Sequence, residues 1–444
     1  MTIIEQLEKR KKLLAYLNSP SNEEIFTPVK LVEEMLDKLP KEIWTDPNLL
    51  WCDPCAKSGV FMLEVVLRLM KNIAIENETE RYKHIINNMV KAYVNVERNK
   101  WLVSKMVYGS KDSVNRVGII KDINKINIED MPKFDVVVGN PPYQGEQKGG
   151  GKGSGNSIWQ KFVELSFDIL KDNGYLCFVH PCGWRMPPVS KKIQPARNLL
   201  ITSQIEYLSL YTTPFKGVNI VVDWYVARKL PKYKETEIKY VNGTYKKYID
   251  DNFILNYGGP LTESIKNKVL TVENNGLKMR RGFGGLVVLD KTKPKGKYKF
   301  AHGARFLKNE WKYYDYPHID QFKPKVIISA VGPFRAIYDK GKIGISDHIH
   351  YLLVNNEKEA DFFIKVITSK LSNFLQKAYA SVELHGTYDL PARWNIPGLI
   401  SKIKLDDAVL KTDKDVYDHF NLSKEEQEYI NSYIKNDRTR IYIL

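Results

Sequence analysis

The sequence predicts an open α/β sheet over residues 1–230 followed by a mixed α+β domain over residues 231–444, on three observations. Short apolar runs alternate with helical patterns as far as about residue 230. One run, Asp135-Val136-Val137-Val138, is apolar and β-branched enough for a parallel strand buried on both faces. Beyond residue 230 Tyr, Lys and Gly become frequent, with turn signals at Asn242-Gly243 and Gly258-Gly259-Pro260.

Residues 1–17 read as an amphipathic helix with apolar positions at Ile4, Leu7, Leu14 and Leu17. Phe26-Thr27-Pro28 then precedes a second helical pattern through Leu31, Met35 and Leu39, with Thr27 suited to the N-cap and Pro28 to the first helical position. The expected strands are Leu49–Cys52, Ala92–Val96, Phe134–Val138, Tyr175–Val179 and Ile220–Val226, and a more helical tail begins near Glu357. In such a sheet ligands bind outside the carboxyl ends of the strands, and the motifs described below lie there.

Composition narrows the class. With 444 residues, 43% hydrophobic and 27% charged, the chain is long enough for two or three ordinary globular domains. No apolar run reaches membrane-spanning length, and Met1 to Lys12 lacks the apolar core of a signal peptide. A cytoplasmic protein with no membrane partner is expected. Cys52 and Cys55 form a C-x-x-C, but only Cys177 and Cys182 remain to complete a metal site, so reduced structural thiols and no metal are expected. The pair His348 and His350 is too sparse for a metal centre.

Charge supplies the first functional hint. The chain carries 68 basic and 52 acidic residues, a net of +16. Residues 231–350 hold 23 basic and 12 acidic side chains, whereas residues 351–444 hold 13 and 14. A concentrated basic block attracts a polyanion, although a solvated lysine-rich surface has the same composition.

The strongest motif is Asn140-Pro141-Pro142-Tyr143, directly after the strand Phe134–Val138. An exocyclic amine such as adenine N6 is a poor nucleophile, because its lone pair is delocalised into the ring. Two oxygen acceptors held against its N–H groups would localise that pair. The Asn140 side-chain oxygen and the Pro141 carbonyl suit this role, with Pro141 and Pro142 stiffening the backbone that holds them. Tyr143 can then stack on the base. A Pro-Pro turn closing a strand is the plainer alternative.

Asp53 to Phe61, reading Asp-Pro-Cys-Ala-Lys-Ser-Gly-Val-Phe, follows the first strand and opens a helix. A small-residue turn there brings backbone N–H groups close to a ligand. Glu97, after Ala92–Val96, is placed to accept both ribose hydroxyls of a nucleoside. Asp122, with Asp112 as its rival, could accept from an adenine amino group.

Taken in order, Phe26-Thr27-Pro28, Asp53 to Phe61, Glu97, Asp122 and Asn140 to Tyr143 resemble the gamma class of DNA amino-methyltransferases, the TaqI-like enzymes of restriction–modification systems. The resemblance implies a Rossmann-like S-adenosylmethionine-dependent methyltransferase domain over residues 1–230 and a DNA target-recognition domain over residues 231–444. It implies that Phe26, Thr27, Pro28, Asp53, Pro54, Cys55, Ser58, Gly59, Phe61, Glu97 and Asp122 bind the cofactor. Asn140, Pro141, Pro142 and Tyr143 are the implied catalytic residues. Phe215, before the strand Ile220–Val226, is the implied aromatic on the other face of a flipped adenine.

Double-stranded DNA is the implied partner, together with a cognate restriction endonuclease. Lys291, Lys293, Lys295, Lys297 and Lys299 would meet phosphates. Lys323–Ala330, Ser369-Lys370-Leu371 and Ser381–Gly386 are similar to the specificity domain of these enzymes. Fewer than 26 residues precede the first methyltransferase segment, so no fused nuclease is expected there.

One departure stands out. Lys57 occupies the place where most members have the first glycine of a G-x-G turn, and a lysine resists positive φ. The stretch Gly145 to Gly155 lacks the spacing of a phosphate loop and is expected to be a flexible segment after the catalytic tetrapeptide. Cytosine N4, an RNA adenine and a protein glutamine N5 are alternative acceptors. A DNA-specificity protein with a degenerate catalytic half is the alternative of a different class, with Lys57 as its support.

Overall fold

The computed structural model describes residues 1–16, 26–144, 157–185, 190–212, 215, 221–249, 254–270, 280–281, 296–303, 310–329, 335–346, 349–379 and 408–434. Among the described residues the chain forms two compact units, Met1–Phe253 and Ile254–Leu444.

The first unit begins with α1 (Ile3–Ala15) and α2 (Val29–Leu36). A capping box between Thr2 and Glu5 starts α1. α2 departs from expectation, because its N-cap is Pro28 and the Thr27 hydroxyl is engaged elsewhere. The helix therefore starts one residue later, leaving Thr27 free to serve the site described below.

β1 (Trp51–Asp53) leads into α3 (Val60–Asn72), which is apolar around nearly its whole circumference and correspondingly buried. α4 (Glu78–His84), β2 (Val90–Val94), α5 (Glu97–Val107), β3 (Val117–Ile119) and β4 (Phe134–Gly139) follow. Next come α6 (Trp159–Ile169), β5 (Leu170–Pro181), α7 (Gln194–Thr202), β6 (Ser203–Thr212) and β7 (Val222–Pro231). β8 (Thr236–Tyr240) and β9 (Gly243–Lys247) complete a nine-stranded sheet of order β3-β2-β1-β4-β5-β7-β6-β8-β9.

β1 to β5 pair in parallel, whereas β7 is antiparallel to both β5 and β6. The chain runs from β1 outward through β2 and β3, then returns to lay β4 on the other side of β1. That reversal makes the carboxyl ends of β1 and β4 the switch point where such sheets take ligands.

The sequence places a boundary after residue 230, but β8 and β9 continue the sheet past it and the first unit runs to Phe253. The composition changes at 230 because β8 and β9 close one side of the sheet and carry exposed lysines at Lys239 and Lys246.

The second unit is mixed α+β. α8 (Pro260–Val269) precedes β10 (Arg280–Arg281), β11 (Tyr298–Ala301), β12 (Lys312–Tyr314), β13 (Lys325–Ser329), β14 (Ala336–Asp339), β15 (Gly344–Ile345) and β16 (Ile349–Leu353). They make a four-stranded sheet of order β10-β16-β13-β14 and a three-stranded sheet of order β12-β11-β15. Ala301, Ile327, Ile337, Ile345, Ile349 and Tyr351 form their shared core. The helical tail begins at Glu357 as expected, with α9 (Glu357–Thr368), α10 (Lys370–Tyr379), α11 (Asp413–His419) and α12 (Lys424–Tyr433). Glu426 ties α12 to α8 through Ser264 at 2.6 Å and Lys268 at 2.7 Å.

Among the described residues no helix is long and apolar enough to cross a membrane. None of the described His, Cys, Asp and Glu side chains gather in a group of three or more able to hold a metal ion. All four cysteines are buried free thiols.

Candidate active site at the ends of β1 and β4

Parallel pairing of Trp51 with Val136 and Cys52 with Val137 brings Asp53 and Gly139 to the same end of the sheet. The absence of a side chain at Gly139 permits the approach: a Cβ there would lie 2.8 Å from Asp53 Oδ1 and 3.0 Å from Cys55 Sγ. Gly139 is a site residue that sequence reasoning missed, although its place directly before Asn140 was a usable signal.

Asn140 is only 3% exposed. Its Nδ2 donates to Thr27 Oγ1 at 3.1 Å, which fixes the amide plane and turns Oδ1 the other way. Oδ1 itself is buried and has no hydrogen-bond partner among the described residues. Close to it lies the Tyr143 hydroxyl, also buried and without a partner in hydrogen-bonding geometry. Burial pushes the Tyr143 phenol well above its usual value. Leaving a buried acceptor unpaired costs about 1–3 kcal/mol, so this notch is an unspent binding capacity that a donor would satisfy. Pro141 and Pro142 are buried beside it.

Phe215 is buried with its ring centroid 6.2 Å from that of Tyr143, the planes at 67°. The two expected stacking residues are thus brought together, edge to face rather than parallel.

The β1 loop is built around Asp53, whose carboxylate is buried and accepts from the Cys55 N–H at 2.9 Å. Burial raises its pKa to about 7, against the opposing pull of that N–H and of Lys57. Burial and the Asp53 charge push the Cys55 thiol well up. Ala56 N–H donates to Tyr93 O at 2.7 Å and anchors the loop to β2. Gly59 caps α3 at φ 80°, a left-handed conformation that glycine adopts without strain. Pro54, Ser58 and Phe61 are buried around this turn.

Lys57 is buried as well, with Nζ 5.8 Å from the Tyr143 ring centroid. Sequence reasoning saw it as a loop irregularity. The fold instead sets it beside Asp53 and Tyr143, a juxtaposition that no spacing along the chain reveals.

Other expected residues lie outside this cluster. Phe26 and Pro28 are half-buried on either side of Thr27. Glu97 is the first residue of α5, is exposed, and has its carboxylate 3.2 Å from Lys100. Asp122 is exposed in the turn after β3, where its side chain accepts from the Asn124 N–H at 3.0 Å. The rival Asp112 accepts from Ser110 Oγ at 3.1 Å.

Of the five lysines expected at phosphates, Lys297 sits over Tyr298 at 5.6 Å and Lys299 over Trp311 at 3.8 Å. Lys291, Lys293 and Lys295 lie outside the described residues, as do Gly145 to Gly155, Ser381–Gly386 and His348.

A second buried network, around β5 and β7, also escaped sequence reasoning. Arg185 Nε lies 2.8 Å from Asp223 Oδ2, which also accepts from Trp184 Nε1 at 3.1 Å. His180 stacks on Trp159 at 4.1 Å and bonds the Tyr225 hydroxyl at 3.0 Å, and burial lowers its pKa to about 4.

Comparison with known proteins places these segments. Residues 34–213 match the family described as Eco57I restriction-modification methylase. The span includes both the Asp53 loop and the Asn140 tetrapeptide. A Mycoplasma pneumoniae protein named as an uncharacterized adenine-specific methylase is 27% identical over 250 residues, covering 40% of this chain and 59% of that protein. The type II methyltransferase M.VspI of Vibrio sp. is 24% identical over 213 residues, covering 46% of this chain and 47% of that protein. The matched parts are thus less than two thirds of either relative.

Among solved structures, the ATP-dependent type ISP restriction-modification enzyme LlaBIII bound to DNA shares the fold, with a TM-score of 0.51 and 10% identity over 97% of this chain and 41% of that one. The motifs read from Asp53 to Tyr143 fall within the matched span: residues 34–213 are similar to Eco57I restriction-modification methylases.

Proposed function

We propose that the protein is a site-specific DNA methyltransferase that moves a methyl group from S-adenosylmethionine to adenine N6 of a flipped-out base. The observation that carries this reading is the buried, unpartnered Asn140 Oδ1 at the switch point of the sheet. An amine N–H satisfies that oxygen and is polarised by it, so the site gains most as the nitrogen's lone pair localises. Thr27 is the positioning residue, since its hydrogen bond holds the amide with the oxygen toward the notch.

The residues present fit a sulfonium nucleoside. Asp53 supplies a buried carboxylate for its cationic methionine part, and the Gly59 turn starts α3 with no side chain capping its first N–H groups. Phe26, Thr27, Pro28, Pro54, Cys55, Ser58 and Phe61 would line that pocket, with Glu97 for the ribose and Asp122 for the adenine. Bound S-adenosylmethionine supplies an electrophilic methyl group, which the amine accepts with loss of one proton to solvent.

Catalysis is then positioning and polarisation, and no strong base is needed. Tyr143 and Phe215 take the flipped base between them, which requires one ring to turn out of the edge-to-face arrangement. The second unit reads the target, with Lys297 and Lys299 among its phosphate contacts.

Incubation with labelled S-adenosylmethionine and bulk DNA, followed by digestion to nucleosides, tests the assignment. N6-methyladenine is the expected product. Label in N4-methylcytosine, or in protein or RNA but not DNA, would overturn it.

A further inference from the structure

In the second unit, a turn presents two large apolar side chains to solvent: Ile319 is 81% exposed and Phe322 is 69% exposed. Singly exposed apolar residues are commonplace. These differ because the turn that carries them is clamped from beneath. Asp320, between them, is fully buried and accepts from Arg280 at 2.6 Å, Tyr351 at 2.8 Å and Lys323 at 2.7 Å.

Gln321, also buried, donates to the Lys342 carbonyl at 2.6 Å. The buried Lys325 ammonium gathers the carbonyls of Asp320, Gln321 and Lys323 at 2.9, 3.1 and 3.0 Å, and pairs with Asp339 at 2.7 Å. Gly341, at φ 94°, lets the chain pass so close that a Cβ there would lie 2.7 Å from the Phe322 carbonyl oxygen. The backbone is thus held on all sides while Ile319 and Phe322 are kept out of the core. Such an arrangement sacrifices their burial to hold them in place, at little entropic cost to whatever they meet.

The surroundings select a partner. Lys323 and Arg280 flank the turn with 57% and 45% of their side chains exposed, and both remain bound to Asp320. In sequence, residues 254–350 of this unit hold 18 basic and 8 acidic side chains. An apolar tip flanked by two cations matches stacked bases between two phosphate backbones.

We propose that the Ile319–Phe322 turn is an apolar wedge that enters duplex DNA and parts a base step. The proposal rests on the assignment of DNA as the substrate, and it adds to it a deformation of the duplex away from the reacting base. Unstacking by a wedge unwinds the helix, so its action is readable without knowing the recognition sequence.

The full-length protein is bound to nicked plasmid, the nick is ligated, and the linking number is measured after the protein is removed. Wild type should shift the linking number in proportion to protein bound. Ile319→Ser with Phe322→Ser should lose most of that shift while its affinity for plasmid stays within about tenfold and its salt slope is unchanged, because phosphate contacts persist. Asn140→Ala should keep the shift, so the unwinding is read independently of methyl transfer.

A wild type that leaves topology unchanged at saturation overturns the proposal, as does a double variant that unwinds normally. So does a change of sedimentation between wild type and double variant in the absence of DNA, which would assign the turn to contact between copies. Methyl incorporation into bulk DNA, measured alongside, reports separately on the underlying assignment.

Discussion

Replacing Asp53 by Asn turns an electrostatic cost of the site into a measurable stability difference. Burial raises the Asp53 carboxyl from 3.8 to about 7, so ionising it in the folded protein is disfavoured by roughly three pH units. At 1.36 kcal/mol per unit this amounts to about 4 kcal/mol. The sign follows from linkage. Between about pH 4 and pH 7 the folded state keeps a proton that the unfolded chain has lost, so stability falls as pH rises through that window. Above about pH 7 the whole cost is in place.

An Asn at this position cannot ionise, and its oxygen can still accept from the Cys55 N–H. The variant should therefore match wild type near pH 4 and exceed it by about 2–4 kcal/mol near pH 8 in urea unfolding. If Asp53 holds the cationic part of S-adenosylmethionine as proposed, the variant should also lose binding of that cofactor by calorimetry. Wild-type and variant stabilities that run parallel across the whole pH range would refute the reasoning.

Three further outcomes follow from the geometry. His180 opposes Asp53: burial depresses it from 6.5 to about 4, so stability rises with pH across that interval, and His180→Gln should remove about 3 kcal/mol of acid sensitivity in the same titration. Thr27→Val should lower methyl transfer about tenfold with little change in stability, since it frees the Asn140 amide to turn; Thr27→Ser should restore the rate. Lys57→Gly should leave cofactor affinity within about tenfold by calorimetry if the loop is merely reshaped, whereas a much larger loss would give the buried ammonium a role of its own.

Much of the catalytic half was legible along the chain because buried parallel strands announce themselves. β4 is a continuous apolar run, and β1, β2, β5 and β7 were found within a few residues of their limits, although β5 extends well before the expected start. β3 was missed because it has three residues with a glycine in the middle. β6 follows α7 without a break, and its polar residues Ser203, Gln204, Glu206 and Ser209 hide the strand. Lysines on the last two strands, β8 and β9, imitated a domain boundary.

The site shows the same division. Asn140 to Tyr143 and the Asp53 loop are contiguous in sequence and could be read directly. The Thr27–Asn140 hydrogen bond joins residues 113 positions apart, and Thr27 had a plausible local task as a helix cap. Lys57 reaches Tyr143 only once β1 and β4 lie side by side. Local pattern carries the elements, and the pairing of strands decides which side chains meet.

If the Asn140 side-chain oxygen does chemical rather than structural service, methyl transfer and cofactor binding separate when it is removed. The most direct measurement pairs methyl transfer to bulk DNA with calorimetric S-adenosylmethionine binding for Asn140→Ala. Transfer should fall by at least about a hundredfold while binding stays within about tenfold. Substantial turnover by that variant would contradict the account, because the orphaned oxygen at the end of β4 would then have no part in activating the amine.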